Sequence, residues 1–408
     1  SRQDLALTGS SLSSDNNVSL DLKGKARIAS AQDTLSAKSQ TKTDNGGFFG
    51  GSSQSESQSS QTTQVASGIT AGGNLTIAAG DSVDIAASNV QATQDLSVTT
   101  AKGISITSAE NTSSSSSKTS SSSGFNLGIV NYSSQKGSAN DNSKTENAAS
   151  TLQGGNVTLE TGADMRIKGS QVVASNDASV NVTGNLNVEN ASDTTETSSS
   201  SYKSKSINAT IPLYYFNVNL GHNSAATKAD SVYDRTVVAS GVTTGNDLDV
   251  TVGQDANIIG SDVQAGGNLD LNVTGNLALA TAQNVHDESH SESEESGFSV
   301  GVSSSGYGGN VGQSKLEATQ GSTLDVINDG TLLQADQDLN VKADNVTVVS
   351  GELVSGQDTT LEADRDIILA TAQDIHQTSE SRTKGKTTTV GVSYASTYGE
   401  DNGANTRV

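Results

Sequence analysis

The 408-residue sequence has no cysteine or tryptophan, one proline, one methionine and only 3% aromatic residues. The lack of cysteine excludes disulfide scaffolds, cysteine–zinc sites and thiol catalysis. Basic residues are also scarce: 23 Lys and Arg against 45 Asp and Glu leave a net charge of −22, which argues against binding to nucleic acid. Only 32% of the residues are hydrophobic. Two classes remain, a disordered chain or a repetitive fold that needs little apolar material per residue.

Internal repetition favours the repetitive fold. Five related phrases, among them RIASAQDT, LATAQNVH and LATAQDIH, share an alanine followed two residues later by Asp or Asn. The shared alanines define five units: Ala31, Ala109, Ala191, Ala282 and Ala372.

A shorter period of 21 residues lies within each unit. Apolar residues recur at this spacing, as in Val83 and Ile104 or Met165 and Leu186, and alternate locally with polar ones, which is a strand signal. Three short strands in 21 residues, separated by Gly, Asn or Asp, are typical of one coil of a parallel β-helix. We expect an inward-pointing core ladder made of Ala26, Val83, Ile104, Met165, Leu186, Ala256, Leu277, Val346 and Ile367.

The predicted fold is therefore all-β: a right-handed parallel β-helix, or solenoid, with coils of 21 residues and Ser/Thr-rich, β-hairpin-like insertions. Residues 1–408 form a single repeat array that we expect to be a fragment of a longer chain and to associate end to end, because exposed end strands recruit other strands. The predicted coil segments are 1–34, 65–112, 150–193, 237–285 and 320–375. The predicted insertions are 35–64, 113–149, 194–236, 286–319 and 376–408.

Every aromatic residue of the chain lies in an insertion. One interpretation is that these rings pack each insertion against the flank of the coils, and the other is that they contact a partner or a membrane surface. The most apolar stretch is 207–218, where Pro212 predicts an edge or a bend. The candidate contact residues are Phe125, Tyr214, Tyr215, Phe216, Phe298 and Tyr307.

Residues for chemistry are largely missing. His286, Asp287, Glu288 and His290 cluster in sequence, but they follow a strand in an acidic, Ser-rich segment, which favours a solvated base of an insertion over a metal site. The coil faces lack aromatic platforms for sugars, and their acidic residues, such as Asp249 and Asp270, are expected to have different neighbours. The sequence predicts no enzyme, no cofactor and no metal site.

The five units of paired coils, the A-x-D/N signature and the Ser/Thr-rich insertions resemble the haemagglutinin repeats of filamentous haemagglutinin-like exoproteins. The long insertions are similar to those in the second repeat region of contact-dependent growth-inhibition (CDI) toxin-delivery proteins. The resemblance covers essentially the whole chain.

This resemblance implies a large protein secreted through a two-partner system, with a secretion-partner β-barrel in the outer membrane, and displayed on the surface of a Gram-negative bacterium. It implies a module that acts on the target-cell outer membrane, or on an outer-membrane protein, during toxin delivery. A filamentous surface adhesin that binds a glycan or protein of a host or neighbouring cell is the alternative.

Overall fold

A computed structural model describes residues 3–47, 49–304 and 307–394 of the chain. These residues form β-strands joined by short turns, with no helix among them. Three parallel sheets, called A, B and C, wind into a solenoid, and a fourth sheet is antiparallel and is built from the insertions. The all-β solenoid predicted from the 21-residue period is confirmed.

Each coil contributes one strand to each parallel sheet. In chain order, sheet A contains Leu5–Thr8, Ala26–Ala29, Val83–Ala86, Ile104–Thr107, Met165–Lys168, Leu186–Glu189, Ala256–Ile259, Asn276–Ala280, Asn345–Val349 and Ile367–Ala370. Sheet B contains Ser11–Ser14, Gly68–Ala71, Asn89–Ala92, Thr151–Gly154, Gln171–Ala174, Gly241–Thr244, Asp262–Ala265, Leu332–Ala335 and Glu352–Ser355. Sheet C contains Val18–Leu22, Leu75–Ala79, Leu96–Thr100, Val157–Thr161, Ala178–Val182, Leu248–Val252, Leu269–Val273, Leu339–Ala343 and Thr359–Ala363.

The core ladder lies in sheet A, where register partners such as Val83 and Ile104, or Met165 and Leu186, stack directly on each other. Eight of its nine predicted members are buried, with at most 4% of their surface exposed. Ile367 differs: it pairs in register with Val346 but is 46% exposed, because its strand is the outermost of sheet A and no described strand covers it.

Polar ladders satisfy the backbone at the corners between strands. At one corner Asn and Asp side chains accept hydrogen bonds from the coil stacked next to them, as Asn17 does from the Asn74 backbone N–H over 2.8 Å. At another corner a buried serine ladder satisfies the backbone groups. The Ser88 amide donates to Ser150 Oγ over 3.2 Å, and the Ser150 hydroxyl donates to the Thr107 carbonyl over 2.7 Å. No buried side-chain polar atom of the described residues is left without a partner. A narrow core therefore suffices to hold the coils together.

The insertions extend from the solenoid as arms, and we number them in chain order. Arms one to four are hairpins, and arm five is a single strand in the described part of the chain. Their strands are Ala31–Asn45 and Gly51–Val65, Ala109–Asn126 and Val130–Ala148, Ala191–Pro212 and Asn217–Val238, Ala282–Ser304 and Tyr307–Asp329, and Ile375–Tyr394. The arms start within a few residues of the predicted insertions, but the fourth return strand continues to Asp329, beyond residue 319.

Successive arms also pair with each other, so that all nine strands form one antiparallel sheet in chain order, which we call the arm sheet. The spacing of the coils explains this. Two coils separate one arm from the next, and at about 4.8 Å per stacked strand they rise by about 10 Å, which is also the width of a two-stranded hairpin. Each arm therefore emerges beside the edge of the previous one.

Candidate functional site

The distal ends of the arms carry the most exposed apolar side chains among the described residues. Phe125 lies 16 residues beyond the arm base at Ala109, or about 55 Å at 3.4 Å per residue. In an antiparallel sheet, residues paired across strands point to the same face. Pairing therefore shows which of these side chains share a surface.

Three successive rows place apolar residues on one face, which we call the tip face. The first row runs from Phe125 through Tyr132, Ile207 and His222 to Phe298. The second contains Val130, Leu220, Val300, Val311 and Val390, and the third contains Ile211, Val218, Val302 and Val392. Their exposed fractions rise to 80% at Val392. Contiguous exposed apolar surface of this kind marks an interaction site in a soluble protein.

The opposite face of the same strands, which we call the polar face, carries only Ser, Thr, Asn and Gly in these rows. One row is Asn126, Asn131, Asn208, Gly221, Ser299, Gly312 and Thr389, and the next is Thr210, Asn219, Gly301, Asn310 and Gly391. A depression of about 910 Å³ lies on this face, lined in part by Asn219, Asn223 and Asn310. At Gly221 a Cβ atom would come within 2.7 Å of Ser299 Oγ, so the glycine leaves room for a polar neighbour. The arm tips are thus amphipathic across seven strands.

Lysines border the tip face on the side towards the solenoid. The two rows adjoining the apolar rows contain six lysines and two glutamates, and we call these lysines the lysine collar: Lys136, Lys203, Lys205, Lys315, Lys384 and Lys386. Lys315 and Lys384 contact Glu317, whose pKa falls to about 2 because it accepts hydrogen bonds from Arg382 and Lys384. Among the described residues, the other collar lysines form no salt bridge. The collar is positive in a chain whose net charge is −22.

All six candidate contact residues lie at the arm tips. Phe125 and Phe298 belong to the tip face, and Tyr307 begins its strand opposite Ser304, on the same face as Val302. Phe125 also stacks on Tyr132, with ring centroids 5.6 Å apart. None of the six is part of the solenoid core.

Tyr214, Tyr215 and Phe216 occupy the turn of arm three, which Leu213 and Phe216 close through two backbone hydrogen bonds of 2.8 and 3.2 Å. Tyr214 is 91% exposed, and its ring meets that of Tyr215 edge to face at 4.6 Å. Pro212 ends the strand that leads into this turn, where the absence of its N–H does not interrupt the sheet. Two further aromatic residues considered from the sequence, Phe48 and Tyr398, lie outside the described residues.

Sequence reasoning missed the tip face as a shared surface and missed the lysine collar. The sequence does contain a signal for an apolar face on these strands. Apolar residues alternate with small or polar ones in Phe298-Ser299-Val300-Gly301-Val302 and in Val390-Gly391-Val392. Which segments align with each other depends on pairing between arms that are far apart in sequence.

The coil surface corrects one expectation. Asp249 and Asp270 were expected to have different neighbours, but they are register partners in sheet C, because they are 21 residues apart. The pKa of Asp249 is raised, mainly by partial burial and then by the charges of Asp270, Asp247 and Asp177. Asn340 donates a hydrogen bond to Asp270 over 2.8 Å.

The described residues contain neither a metal cluster nor a membrane-spanning helix. No three His, Cys, Asp or Glu side chains come together as a metal site within them. No helix in that part of the chain has the length and apolar character needed to cross a membrane.

Comparisons with known proteins agree with the repeat architecture. Residues 49–209, 219–385 and 313–406 match the profile of the family described as hemagglutinin repeat. Two Burkholderia pseudomallei proteins, each described as tRNA nuclease CdiA, are 30% identical to this chain over 173 residues. That match covers 41% of the chain but 13% of each relative, so the similarity concerns a small part of a much longer protein. No solved structure matches the chain.

Proposed function

The chain belongs to the hemagglutinin-repeat family of filamentous haemagglutinin-like exoproteins, and we propose that it is a non-catalytic module that delivers a toxin at the outer membrane of a target cell. In this proposal the solenoid is a spacer and the arm tips are the part that contacts the membrane. The single observation that carries the proposal is the exposed apolar tip face.

The lysine collar favours a lipid surface over other apolar partners. A bilayer presents an apolar interior bordered by anionic headgroups, and the tip face presents apolar rows bordered by lysines. The three rows span about 14 Å along the strands, a depth comparable with the headgroup and outer acyl region. Lysine side chains can lie along apolar surface while their ammonium groups stay at the phosphates. Tyr214 and Tyr215 have the amphipathic rings that are favoured at such an interface.

The family supplies the context of the proposal. We infer secretion through a partner β-barrel in the outer membrane and display on the surface of a Gram-negative bacterium. The nuclease named for the Burkholderia relatives is a property of those whole proteins. For this chain we propose no catalysis, and a target-cell outer-membrane protein is the other contact consistent with the tip face.

The direct test is binding to vesicles. We expect the chain to bind vesicles containing phosphatidylglycerol, and replacement of Val300, Val302 and Val311 by Ser to weaken binding at least about tenfold, because burying a valine contributes about 1.5 kcal/mol. The matched control, Ser299→Thr with Ser303→Thr, changes the polar face of the same strand and should bind normally. Equal binding of all three proteins, or dimerisation through the tip face without vesicle binding, would contradict the proposal.

A cellular test separates delivery from adhesion. Tyr214, Tyr215 and Phe216 are replaced by Ser in the full-length protein, and cell binding and toxin entry are measured separately. Loss of entry with binding retained supports delivery, and loss of binding supports an adhesin. If both survive, these three aromatic residues contribute to neither process.

The polar face gives the adhesin a specific observation of its own. Its depression offers amide and hydroxyl groups and few charges, a chemistry suited to a neutral glycan. In that case Asn223→Ala should reduce binding to target-cell polysaccharide, and the Val300, Val302 and Val311 replacements should not.

A further inference from the structure

Successive arms meet edge to edge at four junctions, and the last two differ chemically from the first two. All four histidines of the chain lie in strands that meet at these last junctions; His222 pairs with Phe298 near the tips, and the other three lie nearer the solenoid. The strands that meet at the first two junctions contain no histidine.

Each of the three histidines contacts an aspartate of the neighbouring arm. His286 Nδ1 is 2.6 Å from Asp234 Oδ1, across the junction between arms three and four. His290 contacts Asp230 across the same junction. His376 contacts Asp325 across the junction between arms four and five.

These groups form a ladder on one face of the sheet. One row runs Asp234, His286, Asp325 and His376 over four consecutive strands. The row four residues nearer the tips contains Asp230, His290 and Glu380. All three pairs join different arms, and none lies within a hairpin.

The charged groups around the ladder are mixed. Glu288 Oε2 lies 3.9 Å from His286 Nε2, and Lys228 Nζ lies 3.5 Å from Asp230. The row two residues beyond Asp230 towards the tips contains Lys228, Glu292 and Arg382. In the direction of arm two, the row of Asp234 continues through Thr195 and then Lys144. The carboxylates closest to His286, namely Asp234, Glu288 and Asp325, favour its protonated ring.

We propose that these Asp–His pairs are proton-dependent links between arms, which hold arms three, four and five together in mildly acidic solution and loosen in alkaline solution. The inference rests on contacts within the arm sheet and does not depend on what the tip face binds. It assigns the C-terminal half of the sheet a pH response that the N-terminal half lacks.

The direction of the effect follows from the pKa values. The hydrogen bond to Asp234 raises the pKa of His286 above 6.5, so its stabilising contribution is complete below 6.5 and is lost as the pH rises through the raised value. The hydrogen bond from His290 lowers the pKa of Asp230 below 3.8, so that contribution is present above 3.8 and is lost as the pH falls through the lowered value. The His286–Asp234 link is therefore strongest below pH 6.5, and the Asp230–His290 link is strongest above pH 3.8.

The absence of native cysteine makes each junction accessible to paired spin labels. Ser231 and Ser289 face each other at 2.8 Å between their hydroxyl oxygens, on the side of the sheet opposite the ladder, and Ser322 and Ser379 do so at 3.2 Å. Ser60 and Ser114 are register partners at the first junction and provide the control. Each pair is changed to Cys and labelled, and electron paramagnetic resonance measures the separated fraction between pH 5.5 and 9.

We expect this fraction to rise with pH at the last two junctions, by about twofold to fivefold per pair, the range for exposed ion pairs. It should stay constant at Ser60 and Ser114. Replacement of His286, His290 and His376 by Gln should abolish the rise. A flat response at the last two junctions, an equal response at the control, or a response that persists in the Gln variant would each overturn the proposal.

Discussion

At the scale of single residues, the A-x-D/N signature has a structural role at the base of each arm. The alanine packs on a corner residue 22 positions earlier, which has a left-handed backbone: Ala191 lies against Gly169, with φ of 54°, and Ala282 against Gly260, with φ of 49°. The acidic or amide residue accepts a backbone N–H from the previous arm, as Asp193 does from Asn147 over 2.7 Å. The signature thus attaches each arm to the solenoid and to its neighbour.

This arrangement predicts opposite outcomes for two glycine substitutions. Gly169→Ala should destabilise the protein by at least about 1–2 kcal/mol, because a left-handed alanine is strained and its Cβ would lie 2.5 Å from that of Ala191. Gly68→Ala is the control: its Cβ would meet only the Asn89 carbonyl oxygen at 4.0 Å, so it should be neutral or slightly stabilising. Urea denaturation measures both, and equal midpoints would contradict this role of the corner.

At the scale of elements, the strands keep their register while the corners absorb changes in length. The coil spacing is 20 residues between Leu339 and Thr359 but 21 between Val346 and Ile367. The shortened corner is Asp344, which alone separates the strand Leu339–Ala343 from Asn345–Val349. The 20-residue spacing seen at Thr359 therefore originates at a corner two corners before Asp358, the residue that precedes this strand.

Two single-glycine insertions test whether corners tolerate a change in length better than strands do. A glycine added next to Asp344 should change the free energy of unfolding by less than about 1 kcal/mol, because it restores the length of a turn and leaves the strands in register. A glycine added between Val346 and Thr347 should cost at least about 2–3 kcal/mol, because it turns the buried Val348 outwards. Thermal melting would show the difference, and an equal loss at both sites would mean that corners and strands are equally constrained.

At the scale of the whole molecule, charge and apolar surface are separated. The chain carries a net charge of −22, whereas exposed apolar side chains are concentrated at the arm tips and on the strand Ile367–Ala370 at the end of sheet A. On that strand, Ile367 and Leu369 are 46% and 67% exposed although their positions correspond to core positions in earlier coils. Uncovered strands of this kind recruit other strands.

We therefore expect these 408 residues to self-associate through the end of the solenoid. Replacing Ile367 and Leu369 by Lys should shift the chain to monomer in sedimentation velocity runs, because charges would then face the contact. Ile368→Lys is the matched control, since Ile368 alternates with them and faces the opposite side of the same strand. Monomeric behaviour of the unchanged protein at high concentration would show that this end is not adhesive.

The sequence alone determined the solenoid. Its information is local and repeated: positions 21 residues apart must bury the same kind of side chain, so Val83, Ile104 and Met165 could be assigned to one ladder without coordinates. The absence of aromatic residues from the coils likewise identified the arms as the segments with a different role. The exposure of Ile367 did not follow, because burial depends on what stacks above a strand as well as on its pattern.

Only the tertiary structure decided what the arms form together. Each arm by itself reads as a polar hairpin, and its few apolar residues define no surface. The rise of two coils places the hairpins edge to edge, and that pairing collects Phe125, Leu220 and Val390 on one face and brings His286 to Asp234. Contacts between chain segments 50 or more residues apart have no local signature, which is why the tip face, the lysine collar and the Asp–His links emerged only when the arms were seen as one sheet.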